Sequence, residues 1–202
     1  NAIGIIGLGR MGMPTAKRFI QAGFRVVGYD IRQEAMEELR STGAEAVEDA
    51  KRVAQKVKTV IIFVLNDQQV IETISGPNGV LAGCGPSSSV ICMATIDRNN
   101  LQQVAQLCSE KGVGFVDCPC TGGPARVENG TLTMIAAAPK KLLRTCRPTL
   151  EVLGKIIFAG EKPGMGQAIK HCNQLLICST HAAVMEIIAL ANIANGYRRL
   201  GQ

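Results

Sequence analysis

The chain lacks tryptophan and holds only two tyrosines, five phenylalanines and two histidines in 202 residues. So few rings exclude the stacking platforms on which single-stranded nucleic acids are held. The excess of 22 Lys and Arg over 16 Asp and Glu is mild, and no basic run gathers it into a phosphate-binding stripe. Nucleic acid is therefore not an expected partner. With two histidines there are few nitrogen ligands for a metal. Cys118-Pro-Cys120 has one intervening residue, where zinc and redox pairs have two, so no metal is expected. The first residues do not read as a signal peptide, and a natural leader could have been trimmed ahead of them.

Apolar residues make up 47% and charged residues 19%, a balance that fits a filled core rather than disorder. The eight cysteines (Cys84, Cys92, Cys108, Cys118, Cys120, Cys146, Cys172 and Cys178) mostly interrupt apolar runs. They read as reduced, buried thiols of a cytoplasmic protein, or a mitochondrial one if a leader has been removed.

The chain opens on an apolar strand, residues 2–6, that runs into Gly7-Leu8-Gly9-Arg10-Met11-Gly12. A second strand ends in Asp30, 18 residues after Gly12. Each part has a task in holding a dinucleotide. Gly7 permits the tight turn. Gly9 lets the backbone approach a pyrophosphate, and Gly12 lets the following helix sit close. The helix N-terminus then offers free N–H groups to the phosphates. Asp30 is placed to accept hydrogen bonds from a ribose and to repel a 2′-phosphate, which favours NAD. Arg32 could instead reach that phosphate, so NADP stays open. The alternative for the glycines is a plain turn in a βαβ unit.

Apolar runs at 2–6, 24–29, 58–64, 89–93, 113–117, 132–137 and 155–159 alternate with helical patterns at 11–22, 32–41, 48–56, 67–74, 97–111 and 139–152. The expected class is α/β, with a doubly wound, mostly parallel sheet covered on both faces. The texture changes after Gly160. From Gly166 to about Asn195 the pattern predicts one helix, over ~40 Å long at ~1.5 Å per residue. It is apolar on nearly every side, so it reads as buried on every side. Ser179, Thr180, His181, Glu186 and Asn192 interrupt it, which favours the core of an all-α unit over a membrane span. The expected division is 1–163 for the sheet domain and 164–202 for the start of the all-α unit. The chain stops while that helix lacks partners, so a longer natural protein is expected.

Three further segments carry chemistry. Thr121-Gly122-Gly123-Pro124 follows a strand, and successive glycine amides form a nest for an anion such as a carboxylate. The alternative is a glycine-rich turn. Lys170 and Asn173 stand at i and i+3 on one helix face. An ammonium there can move a proton and an amide can hold a hydroxyl, although a lone helical lysine is more often a solvated charge. His171 and His181 read as structural. Leu65-Asn66 and Thr95 end strands where doubly wound sheets bind ligands.

Together these segments resemble the 3-hydroxyacid dehydrogenases, the family of 3-hydroxyisobutyrate dehydrogenase and, more distantly, 6-phosphogluconate dehydrogenase. The resemblance rests on Gly7-Leu-Gly-Arg-Met-Gly12-Met-Pro14, on Asp117-Cys-Pro-Cys-Thr-Gly-Gly-Pro124 and on Gly166-x-x-x-Lys170-x-x-Asn173. The texture is most similar to the L-threonate dehydrogenase branch. The resemblance implies a Rossmann-type domain joined by a long helix to an all-α domain, assembled as a homodimer or homotetramer. It implies Lys170 as general acid/base. Thr121, Gly122 and Gly123 would hold a substrate carboxylate, and Asn173 would contact the substrate and steady Lys170. Leu65, Asn66 and Thr95 would contact the nicotinamide half of the cofactor. The implied substrate is a small anionic hydroxy acid such as 3-hydroxyisobutyrate, glycerate or L-threonate. Thr121 stands where the family often has Ser, and Gln174 where it commonly has a second Asn. The other functional class compatible with the fold is a non-catalytic dinucleotide-binding or oligomerisation module.

Overall fold

A computed structural model of the chain describes residues 1–200, and side-chain surroundings for residues 1–193. In chain order the elements are β1 (Ala2–Ile6), α1 (Gly12–Gln21), β2 (Arg25–Tyr29), α2 (Gln33–Ser41), β3 (Glu45–Ala46), α3 (Ala50–Lys56), β4 (Thr59–Ile62), α4 (Asp67–Ser75) and β5 (Ser89–Cys92). There follow α5 (Arg98–Glu110), β6 (Gly114–Asp117), β7 (Cys120–Thr121), α6 (Pro124–Glu128), β8 (Leu132–Ala137), α7 (Lys140–Leu150), β9 (Gly154–Gly160) and α8 (Met165–Leu200).

The strands form one sheet in the order β3-β2-β1-β4-β5-β6-β8. Strands β1 to β6 pair in parallel. Strand β8 turns antiparallel to β6 and β7 along one edge, and β9 pairs parallel with its other edge. From β1 the chain winds first towards β2 and β3, then returns to lay β4, β5 and β6 on the other side. That reversal beside β1 opens a crevice at the carboxyl ends of the strands.

Strand residues alternate between two cores. Ile61 packs in one with Phe19 of α1, Leu39 of α2 and Leu143 of α7. Val60 and Ile62 pack in the other with Val53 of α3, Ile74 of α4 and Val104 of α5. Apolar strands with no polar side thus follow from helices on both faces. The two-residue strands β3 and β7 and the five-residue helix α6 do not stand out in the sequence pattern.

Helix α8 departs from the expectation of burial on all sides. Its first turns are held, with Gly166, Gln167 and Lys170 buried. Beyond Lys170 it leaves the sheet, and Leu175 (72%) and Leu190 (66%) are exposed. The physical reason is that no other element among the described residues lies alongside it. It is the one helix among the described residues long and apolar enough to cross a membrane, with mean hydropathy 1.6 over its most apolar stretch. The expected 164–202 unit includes Gly201 and Gln202, which lie outside the described residues.

Candidate functional site

Strand β1 delivers the chain into a turn that only glycine builds easily. Gly7 has φ +86°, and a Cβ there would stand 2.7 Å from the Phe63 carbonyl oxygen. Its N–H donates to Tyr29 O at 2.9 Å, tying the turn to β2. A Cβ on Gly12 would overlap the Gly7 carbonyl, so α1 starts directly on the turn. Gly9 is different, because a Cβ there would meet nothing within 4 Å. The space over Gly9 is an open cradle. Helix α1 has no side-chain cap. Its first amides precede the bond from Met13 N–H to Gly9 O, 3.1 Å, and so lack intrahelical partners. These features fit a dinucleotide pyrophosphate.

Asp30 stands at the end of β2. Its Oδ2 accepts from Leu8 N–H at 2.7 Å and from Arg32 Nη2 at 3.2 Å. Its Oδ1 accepts from Arg32 N–H at 2.9 Å and Arg32 Nε at 3.0 Å. Burial pushes the carboxyl up, but these donors outweigh it and hold its pKa below the usual carboxylate range. The ionised form therefore persists at neutral pH, with both oxygens engaged by Leu8 and Arg32.

A cleft of about 450 Å³ opens from the glycine loop across the carboxyl ends of β4, β5 and β6. Its walls are Gly9–Met11, Phe63–Leu65, Met93–Thr95 and Cys120–Gly123, closed by Lys170 and Gln174 of α8. Of the residues expected from sequence, this one space gathers Gly9, Arg10, Met11, Leu65, Thr95, Thr121, Gly122, Gly123 and Lys170. Gly7, Leu8 and Gly12 belong to the same turn without lining the cleft, and Asp30 is tied to that turn through Leu8 N–H. A larger groove of about 750 Å³, lined by Ala2, Lys58, Thr59 and Ser88 among others, sits at the opposite ends of the strands, away from the glycine loop. Doubly wound sheets bind ligands at the carboxyl ends, so the smaller cleft is the candidate site.

Within it, Gly122 (φ +128°) and Gly123 (φ +74°) are successive residues in the left-handed region. The bridge from Thr121 to Thr133 of β8 fixes the approach to this pair. Lys170 is only 8% exposed, which rules against a solvated surface charge. Burial lowers its pKa below the ordinary lysine value, while the nearby Cys120 sulfur pulls the other way. Burial pushes the Cys120 thiol to about 11, with Lys170 opposing, so this thiol stays protonated. His171 and His181 are exposed on α8 and line none of the cleft.

One expectation needs correction. Asn173 does not steady Lys170: Lys170 Nζ donates to Gln174 Oε1 at 2.8 Å, because i+4 aligns as well as i+3 on this helix. Asn173 Nδ2 is instead buried without a hydrogen-bond partner. Asn66, like Asn173, is not among the residues that line the cleft. Its side chain caps α4, accepting from Gln69 N–H at 2.9 Å.

Two residues escape a reading of the sequence. Asp117, fully buried at the end of β6, accepts through Oδ2 from the N–H groups of Gly164 (2.8 Å), Gly166 (2.9 Å) and Gln167 (3.3 Å). It caps α8 from 47 residues away. Burial pushes its carboxyl up, and the amide donors pull it back only in part. Gln167 connects α8 to the Thr95 loop. The signal for Asp117 was an acid ending an otherwise apolar strand. For Gln167 it was an amide one turn before Lys170.

The sequence matches, over residues 2–160, the family described as the NAD binding domain of 6-phosphogluconate dehydrogenase. It is 32% identical over 189 residues to 2-(hydroxymethyl)glutarate dehydrogenase of Eubacterium barkeri, covering 93% of this chain and 62% of that protein. It is 33% identical over 191 residues to L-threonate dehydrogenase of Escherichia coli K12, covering 94% and 63%. The crystal structure of a 3-hydroxyisobutyrate dehydrogenase from Salmonella typhimurium superposes with a TM-score of 0.89 at 30% identity, over 96% of this chain and 68% of that one. The chain thus spans a little under two thirds of the length of these curated relatives. Glycine loop, acid-terminated second strand and these likenesses agree: the chain belongs to the 3-hydroxyacid dehydrogenase family, through the NAD-binding domain shared with 6-phosphogluconate dehydrogenase.

Proposed function

We propose that the chain carries the cofactor site and part of the catalytic site of an NAD-dependent dehydrogenase of a small 3-hydroxy acid. The observation that carries this reading is the buried Lys170 beside Thr121, Gly122 and Gly123, in the cleft that opens onto the glycine loop. Residues 1–163 form the cofactor domain in this reading, and 164–202 begin an all-α unit. The apolar face of α8 supports a homodimer or homotetramer. Reduced thiols agree with a cytoplasmic location.

NAD, when bound, supplies a hydride acceptor. The chain's own residues do the rest. The Gly9–Gly12 turn holds the pyrophosphate, and Asp30 the adenosine ribose. Leu65 and Thr95 border the nicotinamide half. The guanidinium of Arg32 beside Asp30 keeps NADP as the alternative. The Gly122 and Gly123 amides and the Thr121 hydroxyl hold the substrate carboxylate, and Asn173 supplies its unpartnered N–H to the substrate. Neutral Lys170 takes the proton of the reacting hydroxyl at Nζ, and the ammonium returns it in the reverse direction. Substrates of the 3-hydroxyisobutyrate, glycerate and L-threonate type all offer the required carboxylate and hydroxyl.

The test is NAD reduction with a panel of hydroxy acids on the full-length protein. Lys170→Ala is expected to cut turnover by about 10³-fold while NAD affinity stays within about twofold. Because burial lowers the pKa of Lys170, the rate of oxidation should rise with pH through a limb below the ordinary lysine value. A limb at or above that value would contradict the role of Lys170. A folded, NAD-binding protein that oxidises none of the acids would favour a non-catalytic binding module.

A further inference from the structure

We propose that Gln167 is a positioning residue that locks the Thr95 loop to the Lys170 helix, so that the nicotinamide end of the cleft and the acid–base lysine move as one body. The inference rests on the dehydrogenase reading for the roles of Thr95 and Lys170, but the lock itself stands on geometry. The ladder of β5 ends at Cys92, and the chain then runs on towards α5 with no neighbouring strand. Ala94 (5% exposed) and Ile96 (2%) are nevertheless buried. The Ala94 carbonyl and the Ile96 N–H would otherwise be buried without partners, which is unfavourable.

The Gln167 side chain, fully buried, replaces the missing strand. Its Oε1 accepts from Ile96 N–H at 3.2 Å, and its Nε2 donates to Ala94 O at 3.0 Å. The two bonds bracket Thr95 and leave its exposed side turned to the cleft. The second hydrogen of Nε2 goes to Asp117 Oδ1 at 3.2 Å, while Asp117 Oδ2 caps the helix that bears Gln167. Lys170 follows one turn later on the same face. The side chain here must accept once and donate twice, as a carboxamide does. A carboxylate would face Asp117 and lack both donors, and an alkyl chain would satisfy neither peptide group.

The test compares NAD with ADP-ribose, which lacks the nicotinamide and does not reach Thr95. Both affinities are measured by calorimetry on the full-length wild type, Gln167→Met and Gln167→Glu. Gln167→Met is expected to weaken NAD about tenfold and leave ADP-ribose within about twofold. Gln167→Glu keeps the acceptor for Ile96 N–H. Protonated, it also regains one donor, and the neighbouring Asp117 raises its pKa. Its NAD affinity should therefore recover on going from about pH 8 to about pH 5.5, while that of Gln167→Met stays level. If Gln167→Met does not fold, Gln167→Glu at its two pH values carries the same test. Equal losses for NAD and ADP-ribose would reduce Gln167 to a general prop, and no loss for either would remove the lock. Selective NAD loss in the Gln167 variants, beside a wild type that oxidises no hydroxy acid, would support the lock while overturning the dehydrogenase reading.

Discussion

Helices α1 and α8 both begin at the cleft, and they are held in opposite ways. Helix α1 buries a stripe along its length, Met13, Ala16 and Phe19, while its N-terminus is uncapped. Helix α8 has its N-terminus filled by Asp117 and its body bare beyond Lys170. One helix gives its flank to the fold and leaves its end open. The other gives its end to the fold and leaves its flank exposed as far as residue 193. The difference shows that anion binding at a helix start needs more than free amides. It also needs that no carboxylate of the protein has already taken them, which leaves the start of α1 open to an anion and closes that of α8.

The comparison can be broken at its strongest point first. Phe19→Ala is expected to lower the stability of the chain by about 3–5 kcal/mol, as large core truncations do, measured by denaturant unfolding. Leu190→Ala should change it by less than about 0.5 kcal/mol. Similar losses at the two positions would mean that the flank of α8 is covered in solution. Next comes Asp117→Ala, which strands three buried N–H groups and should cost about 2–3 kcal/mol. Loss of protection from hydrogen exchange at Gly164 and Gly166 is the local sign to look for. The smallest expected effect is the sharpest. Gly9→Ala should leave unfolding unchanged, because the added methyl meets nothing, but weaken NAD about tenfold by filling the cradle. If NAD affinity survives Gly9→Ala, the pyrophosphate does not lie there.

Much of this was legible from the sequence, for identifiable reasons. Strands β1, β2, β4, β5, β6 and β8 are apolar runs bounded by turns, so the expected limits fall within two residues of those found. Strands β3 and β7 have two residues each, and only the neighbours they pair with define them. The glycines, Asp30 and Lys170 were visible because each is an unusual residue for its place. The partner of Lys170 was not, since i+3 and i+4 share a helix face and the choice between Asn173 and Gln174 is made by rotamers. The cap formed by Asn66 had a local signal, an Asn opening a helix, which its place at a strand end obscured. The Asp117 cap spans 47 residues, and no local pattern reports a partner that distant.

The cysteines turn the contrast between the two helices into something that can be counted. All eight are free thiols, and Cys172 and Cys178 on α8 are the exposed ones. Cys92 and Cys108, pushed to about 12 by burial, offer almost no thiolate to an alkylating reagent. An uncovered α8 therefore reads as two fast thiols in a labelling time course. A partner seated along that flank would silence both, so the two thiols gauge whether anything covers α8.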